Sequence, residues 1–184
     1  MSFRILKKIL DLDNNYDLHL ARLLILISFL SGEKHKEIKG ITKLVKLDFL
    51  LRYPTVLEKA LQKFGSYKEK IMIHENEKNS VESKMVRFRY GPWDPRYYQY
   101  LAILESQGLV NAKISNKTVE ITITNKGFDV ASNLSGIIDL SDFVARSKII
   151  NSQFGKIGAT KLKDMMYELV PELHDMRFGE VIKP

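Results

Sequence analysis

From Leu18 to Leu30 the chain is apolar at nearly every position, with Leu20, Leu23, Leu24, Ile27 and Leu30 joined by Leu26 and Phe29 on other sides. A helix that is apolar all round must be buried, so this segment is predicted to be central in the fold. Asn14-Asn15 provide capping acceptors at its start, and Ser31-Gly32 supplies its stop. Gly32 to Gly40 is short and charged and suits one or two helical turns. Ile41 to Tyr53 carries a wide apolar stripe through Ile41, Leu44, Val45, Leu47 and Leu51, with Lys43 and Lys46 off it. Pro54 then fits the first turn of a further helix running through Leu57 and Leu61 to Gly65. Residues 66–84 change character: Lys and Glu dominate, only Ile71, Met72 and Ile73 cluster, and the stretch reads as an exposed excursion.

The pattern then switches period. Met85 to Tyr90 alternates, placing Val86, Phe88 and Tyr90 on one face of a strand and Arg87 and Arg89 on the other. Gly91-Pro92-Trp93-Asp94-Pro95 reads as a turn opening a helix to Gln107, which buries Tyr97 or Tyr98, Leu101, Ala102 and Leu104 and stops at Gly108. Leu109–Ser115 and Thr118–Thr124 alternate on either side of Asn116-Lys117, the shortest hairpin connection. Thr124 caps a helix through Phe128, Val130, Ala131 and Leu134, with Gly127 allowing close packing on the strand. Helix, tight hairpin, helix is the back half of a winged helix-turn-helix. Two amphipathic helices follow, Ser141–Gln153 and Thr160–Val170, separated by Gly155 and Gly158. The expected class is therefore α+β and mostly helical: a winged-helix domain over 1–135, containing the charged excursion and a two-stranded wing, then a C-terminal helical appendage over 136–184.

Composition narrows the functional classes. The 184 residues are 45% hydrophobic and 28% charged, as in an ordinary globular protein. Without cysteine there is no disulfide, thiolate metal site or cysteine nucleophile. His19, His35, His74 and His174 have no ligand-like spacing, and no metal or cofactor is implied. The longest apolar run falls short of the ~20 residues a bilayer span requires, and Met1–Lys8 lacks a signal-peptide pattern, so a cytoplasmic protein is expected. The sequence shows no phosphate-cradling loop, nucleophile elbow or paired histidine–carboxylate cluster, and enzyme activity is not expected. His19, alone on an apolar helix, reads as a satisfied buried histidine.

Charge is uneven. Residues 1–92 hold 18 Lys and Arg against 11 Asp and Glu, and so carry the whole +7; residues 93–184 hold 11 of each. Such asymmetry suits an anionic polymer or an acidic protein partner. Lys34, Lys36, Lys39, Lys43, Lys46 and Arg52, with Lys117 at the hairpin, are the candidate phosphate contacts. They offer no base readout, so sequence-nonspecific DNA contact is the expectation if DNA is touched. The competing reading is an ordinary solvated helix face. Arg87, Arg89, Trp93, Asp94, Arg96, Tyr97, Tyr98 and Tyr100 form a second candidate set, a partner interface. Tyrosine and tryptophan are common interface anchors, and these rings with Tyr90 exceed what one short helix buries. Trp93 is the expected hub, and Arg89 is expected to pair with Asp94 or Asp48 and hold the turn.

Two runs carry a resemblance: Lys46-Leu47-Asp48-Phe49-Leu50-Leu51-Arg52-Tyr53-Pro54, and the long stretch from Val81 to Tyr98 containing Arg87-Phe88-Arg89-Tyr90-Gly91-Pro92-Trp93-Asp94-Pro95-Arg96-Tyr97-Tyr98. With Leu104-Glu105, Gly108-Leu109-Val110 and Thr124-Asn125-Lys126-Gly127, the chain resembles the middle component of the ABC-three-component systems. That group includes the small accessory subunit of Lamassu anti-phage and anti-plasmid defence. The resemblance covers about residues 41–135 and leaves 136–184 unmatched. It implies a non-catalytic subunit of a hetero-oligomer, beside an SMC-like ATPase that senses foreign DNA and a separate effector nuclease that it holds or releases. Two alternatives stay open on the residues themselves: a free-standing winged-helix transcription regulator, and an enzyme with a site around Arg87, Arg89 and Asp94.

Overall fold

The computed structural model describes residues 16–65, 70–79 and 84–183. Asn14 and Asn15, parts of the charged excursion, and Val81 to Ser83 of the resembling run lie outside the described residues. The axis of the fold is α1 (Tyr16–Ser31), buried without interruption from Arg22 to Ser28. Next come β1 (Ile38–Lys39), α2 (Ile41–Arg52), α3 (Pro54–Phe64) and a short α4 (Glu75–Asn79). The centre holds β2 (Val86–Phe88), β3 (Gly91–Trp93), α5 (Tyr97–Ser106), β4 (Val110–Ser115) and β5 (Thr118–Ile123). The chain ends with α6 (Asn125–Ser135), α7 (Ser141–Phe154) and α8 (Ala159–Leu169), with 3-10 turns at Ile138–Leu140 and Pro171–His174. The class is α+β and mostly helical. Among the described residues no helix is long and apolar enough to cross a membrane.

The sheet follows local chemistry. Asn116 and Lys117 take φ of 47° and 64°, the left-handed pair that a two-residue hairpin needs. β4 and β5 thereby pair in register from Val110–Ile123 to Ser115–Thr118. The Thr124 Oγ1 accepts the Gly127 N–H at 2.9 Å, capping α6. A Cβ on Gly127 would lie 1.9 Å from the Leu109 carbonyl oxygen, so only glycine lets α6 approach the chain entering β4.

Four features depart from the sequence reading. Gly32–Gly40 forms a turn and then β1, which pairs Ile38 with Ile121 and gives the sheet the order β1-β5-β4. Gly91–Trp93 is a strand rather than a turn, because the chain reverses earlier, at Arg89-Tyr90, and β3 runs back along β2. The described part of the charged excursion is docked: Glu77 forms a 2.7 Å ion pair with the buried Arg146 of α7. Finally, residues 136–183 share the main core instead of hanging from it. Ile150, Phe154, Leu162, Met166 and Leu173 join one apolar cluster with Leu23, Leu44, Phe49 and Tyr53. The tail then returns to β2. Arg87 N–H donates to Glu180 O, Gly179 N–H to Arg87 O, and Ile182 N–H to Met85 O. Tyr53 locks this return, its hydroxyl donating to Ile182 O at 3.1 Å and accepting the Met85 N–H at 2.9 Å. Burial pushes that hydroxyl up to about 12.

Candidate docking surface

A buried charge cluster forms the base of the site, and its origin lies on α1 and α2. Asp48 is fully enclosed and accepts from Arg22 Nε at 3.0 Å, from Arg52 Nε at 2.8 Å, and from the Tyr97 hydroxyl. Arg52 also reaches Asp94 at 2.8 Å, and Asp94 binds Arg96 at 2.9 Å and accepts its backbone N–H at 3.0 Å. Burial alone would raise the Asp48 carboxyl; Arg22 and Arg52 overcome it and hold the group at about 2. Burial likewise opposes ionisation of Asp94, and Arg96 and Arg52 hold it below its ordinary value. Arg22 Nη1 lies 2.9 Å from His19 Nδ1. A guanidinium only donates, so this nitrogen accepts and the imidazole is neutral. Burial, reinforced by Arg22, pushes His19 down to about 3.

This cluster ties α1, α2, the end of β3 and α5 together at one point. Its carboxylate oxygens are sealed from solvent by the groups they bind. A carboxylate that cannot meet a substrate cannot act on one, so the arrangement suits positioning. What it positions is the β2–β3 hairpin and the first turn of α5.

The surplus of rings divides there. Tyr97 and Tyr100 are fully buried, whereas Phe88, Tyr90 and Tyr98 are 48%, 51% and 62% exposed. Trp93 is half-buried between them, its ring 6.1 Å from Phe88, 6.0 Å from Tyr97 and 5.8 Å from Tyr98. Phe178, exposed on the returning tail, extends the patch with its ring 6.1 Å from Phe88. The hub is thus Asp48 with Tyr97, and Trp93 sits at its rim. Between α2 and the hairpin lies a cavity of about 150 Å³ lined by Ile41, Val45, Lys46, Tyr90, Trp93 and Tyr98.

The remaining predicted site residues divide as follows. Arg87 is held by the fold: it donates to Leu173 O at 3.1 Å and Phe88 O at 2.7 Å, and its guanidinium lies 4.5 Å from the Phe178 ring centre. Arg89 pairs with neither Asp48 nor Asp94, because Arg22, Arg52 and Arg96 already occupy those carboxylates; it is exposed beside Tyr90. Arg52 is not a surface cation: its side chain is 2% exposed and engaged by Asp48 and Asp94. Lys46 is also withdrawn from the surface because α2 is covered on several sides by β3, α7 and α8. Lys34, Lys36 and Lys43 do come together around a cavity of about 580 Å³ with Lys156, Glu33 and Glu37. There Lys43 Nζ donates to Gly155 O at 2.7 Å, capping the end of α7. Lys39, on β1, and Lys117, in the hairpin turn, are exposed elsewhere on the sheet.

Sequence reasoning missed Arg22 as a site residue. The signal was present: an arginine in a helix that is apolar on every side must have a buried acidic partner. No family model, curated protein or solved structure matches the chain.

Proposed function

We propose that this chain is a non-catalytic accessory subunit of a bacterial defence complex, bridging an SMC-like ATPase and an effector nuclease and controlling effector release when foreign DNA is sensed. The observation that carries the reading is the behaviour of the run that carries the resemblance. Its described part, Lys84 to Tyr98, forms the β2–β3 hairpin and the start of α5, with Phe88, Tyr90 and Tyr98 turned to solvent over a rigid buried ion cluster. Rings held in place lose little conformational freedom on binding, which is what a docking surface requires.

The order helix, strand, helix, helix, strand, strand, taken as α1, β1, α2, α5, β4 and β5, supports a winged helix with residues 53–96 inserted between its second and third helices. In that reading α5 is the helix that would enter a DNA groove. It has no lysine or arginine, and none occurs between Arg96 and Lys113. A helix that reads DNA needs cations near phosphates and donors near bases. The composition of α5 favours a protein-docking use of the fold over a transcription regulator, and leaves any DNA contact to Lys34, Lys36, Lys39 and Lys117 as sequence-nonspecific attraction. The test is co-purification of the tagged chain expressed with its neighbouring genes. An SMC-like ATPase at stoichiometric ratio is expected; a lone homodimer that shifts one defined DNA fragment would overturn the proposal.

A further inference from the structure

Lys46 is 2% exposed, yet its ammonium has one hydrogen-bond partner among the described residues, the Thr42 carbonyl at 3.3 Å. An ammonium carries three donors, and burying it without an anion is costly. Burial, together with the nearby Lys163, pushes it down to about 8. The same lysine lines the 150 Å³ cavity beneath Tyr90, Trp93 and Tyr98, a space of the size that accepts one benzene ring. Around Tyr90 the surface continues into a groove with Arg89 and Lys163, where Asp164 and Glu168 also stand.

We propose that this cleft is the receptor for an acidic, aromatic-bearing segment of a partner protein: one ring fills the cavity against Trp93, and an adjacent aspartate or glutamate meets Lys46. Charge complementarity selects this occupant. The cavity wall offers one cation with unused donors among aliphatic and aromatic side chains and the uncharged Thr42, which matches a single carboxylate beside a ring. A polyphosphate chain would instead meet Asp164 and Glu168 in the neighbouring groove. The inference deepens the docking role proposed above but does not depend on which protein supplies the segment.

Trp93 is the only tryptophan in the chain, so its emission reads the cleft directly. The probes are a capped Asp-Phe-Leu tripeptide amide and its Asn-Phe-Leu counterpart, titrated against the full chain and against Lys46→Met. That substitution keeps the stem and removes a charge that burial disfavours, so the variant folds. The wild-type chain is expected to prefer the aspartyl peptide by ~10-fold or more, since a charge-assisted hydrogen bond contributes that much discrimination. Lys46→Met is expected to bind the two peptides equally. Equal affinity of the wild-type chain for both peptides, or no response to either, overturns the proposal. So does oligothymidylate displacing the aspartyl peptide from Trp93, which would assign the cleft to nucleic acid. If the ATPase co-purifies but the peptides are not discriminated, this inference fails and the accessory role stands. If the peptides are discriminated and no ATPase co-purifies, the reverse holds.

Discussion

Replacing Asp48 with asparagine removes one charge from the centre of the molecule and changes its shape very little. The carboxylate accepts from Arg22 at 3.0 Å, from Arg52 at 2.8 Å and from Tyr97. In the variant, one of those acceptors becomes an NH₂ group facing a donor; Arg52 keeps its ion pair with Asp94, and Arg22 loses its carboxylate partner. Breaking a buried ion pair from one side typically costs ~3–5 kcal/mol. The pH dependence checks the cause. Asp48 is held at about 2 against an ordinary 3.8, so its contribution is fully present above the unfolded value and is lost as pH falls through about 2. The electrostatic share from that difference is ~2 kcal/mol at neutral pH. Urea unfolding followed by Trp93 emission should therefore show Asp48→Asn destabilised by ~3–5 kcal/mol at pH 7. The gap to the wild type should narrow as pH falls from about 4 towards 2. A gap below about 1 kcal/mol at pH 7, or one that does not change with pH, would refute the claim that this cluster holds the fold together.

Gly127→Ala should destabilise by ~1–3 kcal/mol, read as a lowered melting temperature, because its Cβ meets the Leu109 carbonyl oxygen at 1.9 Å. Lys117→Gly should raise stability by about 0.4–1 kcal/mol in the same melt, since Lys117 sits at φ 64° in a hairpin turn that favours glycine. Tyr98→Ser, at a ring 62% exposed, should leave the urea midpoint nearly unchanged, and calorimetric titration should show partner affinity weakened by ~2 kcal/mol.

Apart from the short α4, the main helices were legible because their signals are local. The buried α1, Pro54 opening α3, the Asn116-Lys117 turn and the Thr124 cap each depend on residues within a few positions, and the structure contains them all. What was not legible depends on distant pairing. β1 has two residues, too few to show a period, and is a strand only because β5 lies beside it. β3 contains Pro92 and looks like a turn until the register with Arg87 is known. The return of the tail to β2 joins Val86 to Val181 with no local mark at either end. For the site, an amphipathic reading of α2 assumed one buried face and left Lys43 and Lys46 exposed, and the basic cluster counted Arg52 as a phosphate contact. With β3, α7 and α8 all packed on it, α2 has almost no solvent face, and its charges had to find partners or a ligand. The aromatic surplus was visible in the sequence; its division into buried Tyr97 and Tyr100 and exposed Tyr90 and Tyr98 needed the fold.

The central claim is that the exposed rings over the buried ion cluster dock this chain onto an SMC-like ATPase. Its most direct test is co-expression with the neighbouring genes of the tagged wild-type chain and of a Phe88→Ser, Tyr98→Ser double variant, followed by quantification of what elutes. The account predicts a stoichiometric ATPase with the wild-type chain and its loss from a variant that still unfolds at the wild-type urea midpoint. An ATPase retained by the variant, or absent from both preparations, would contradict it.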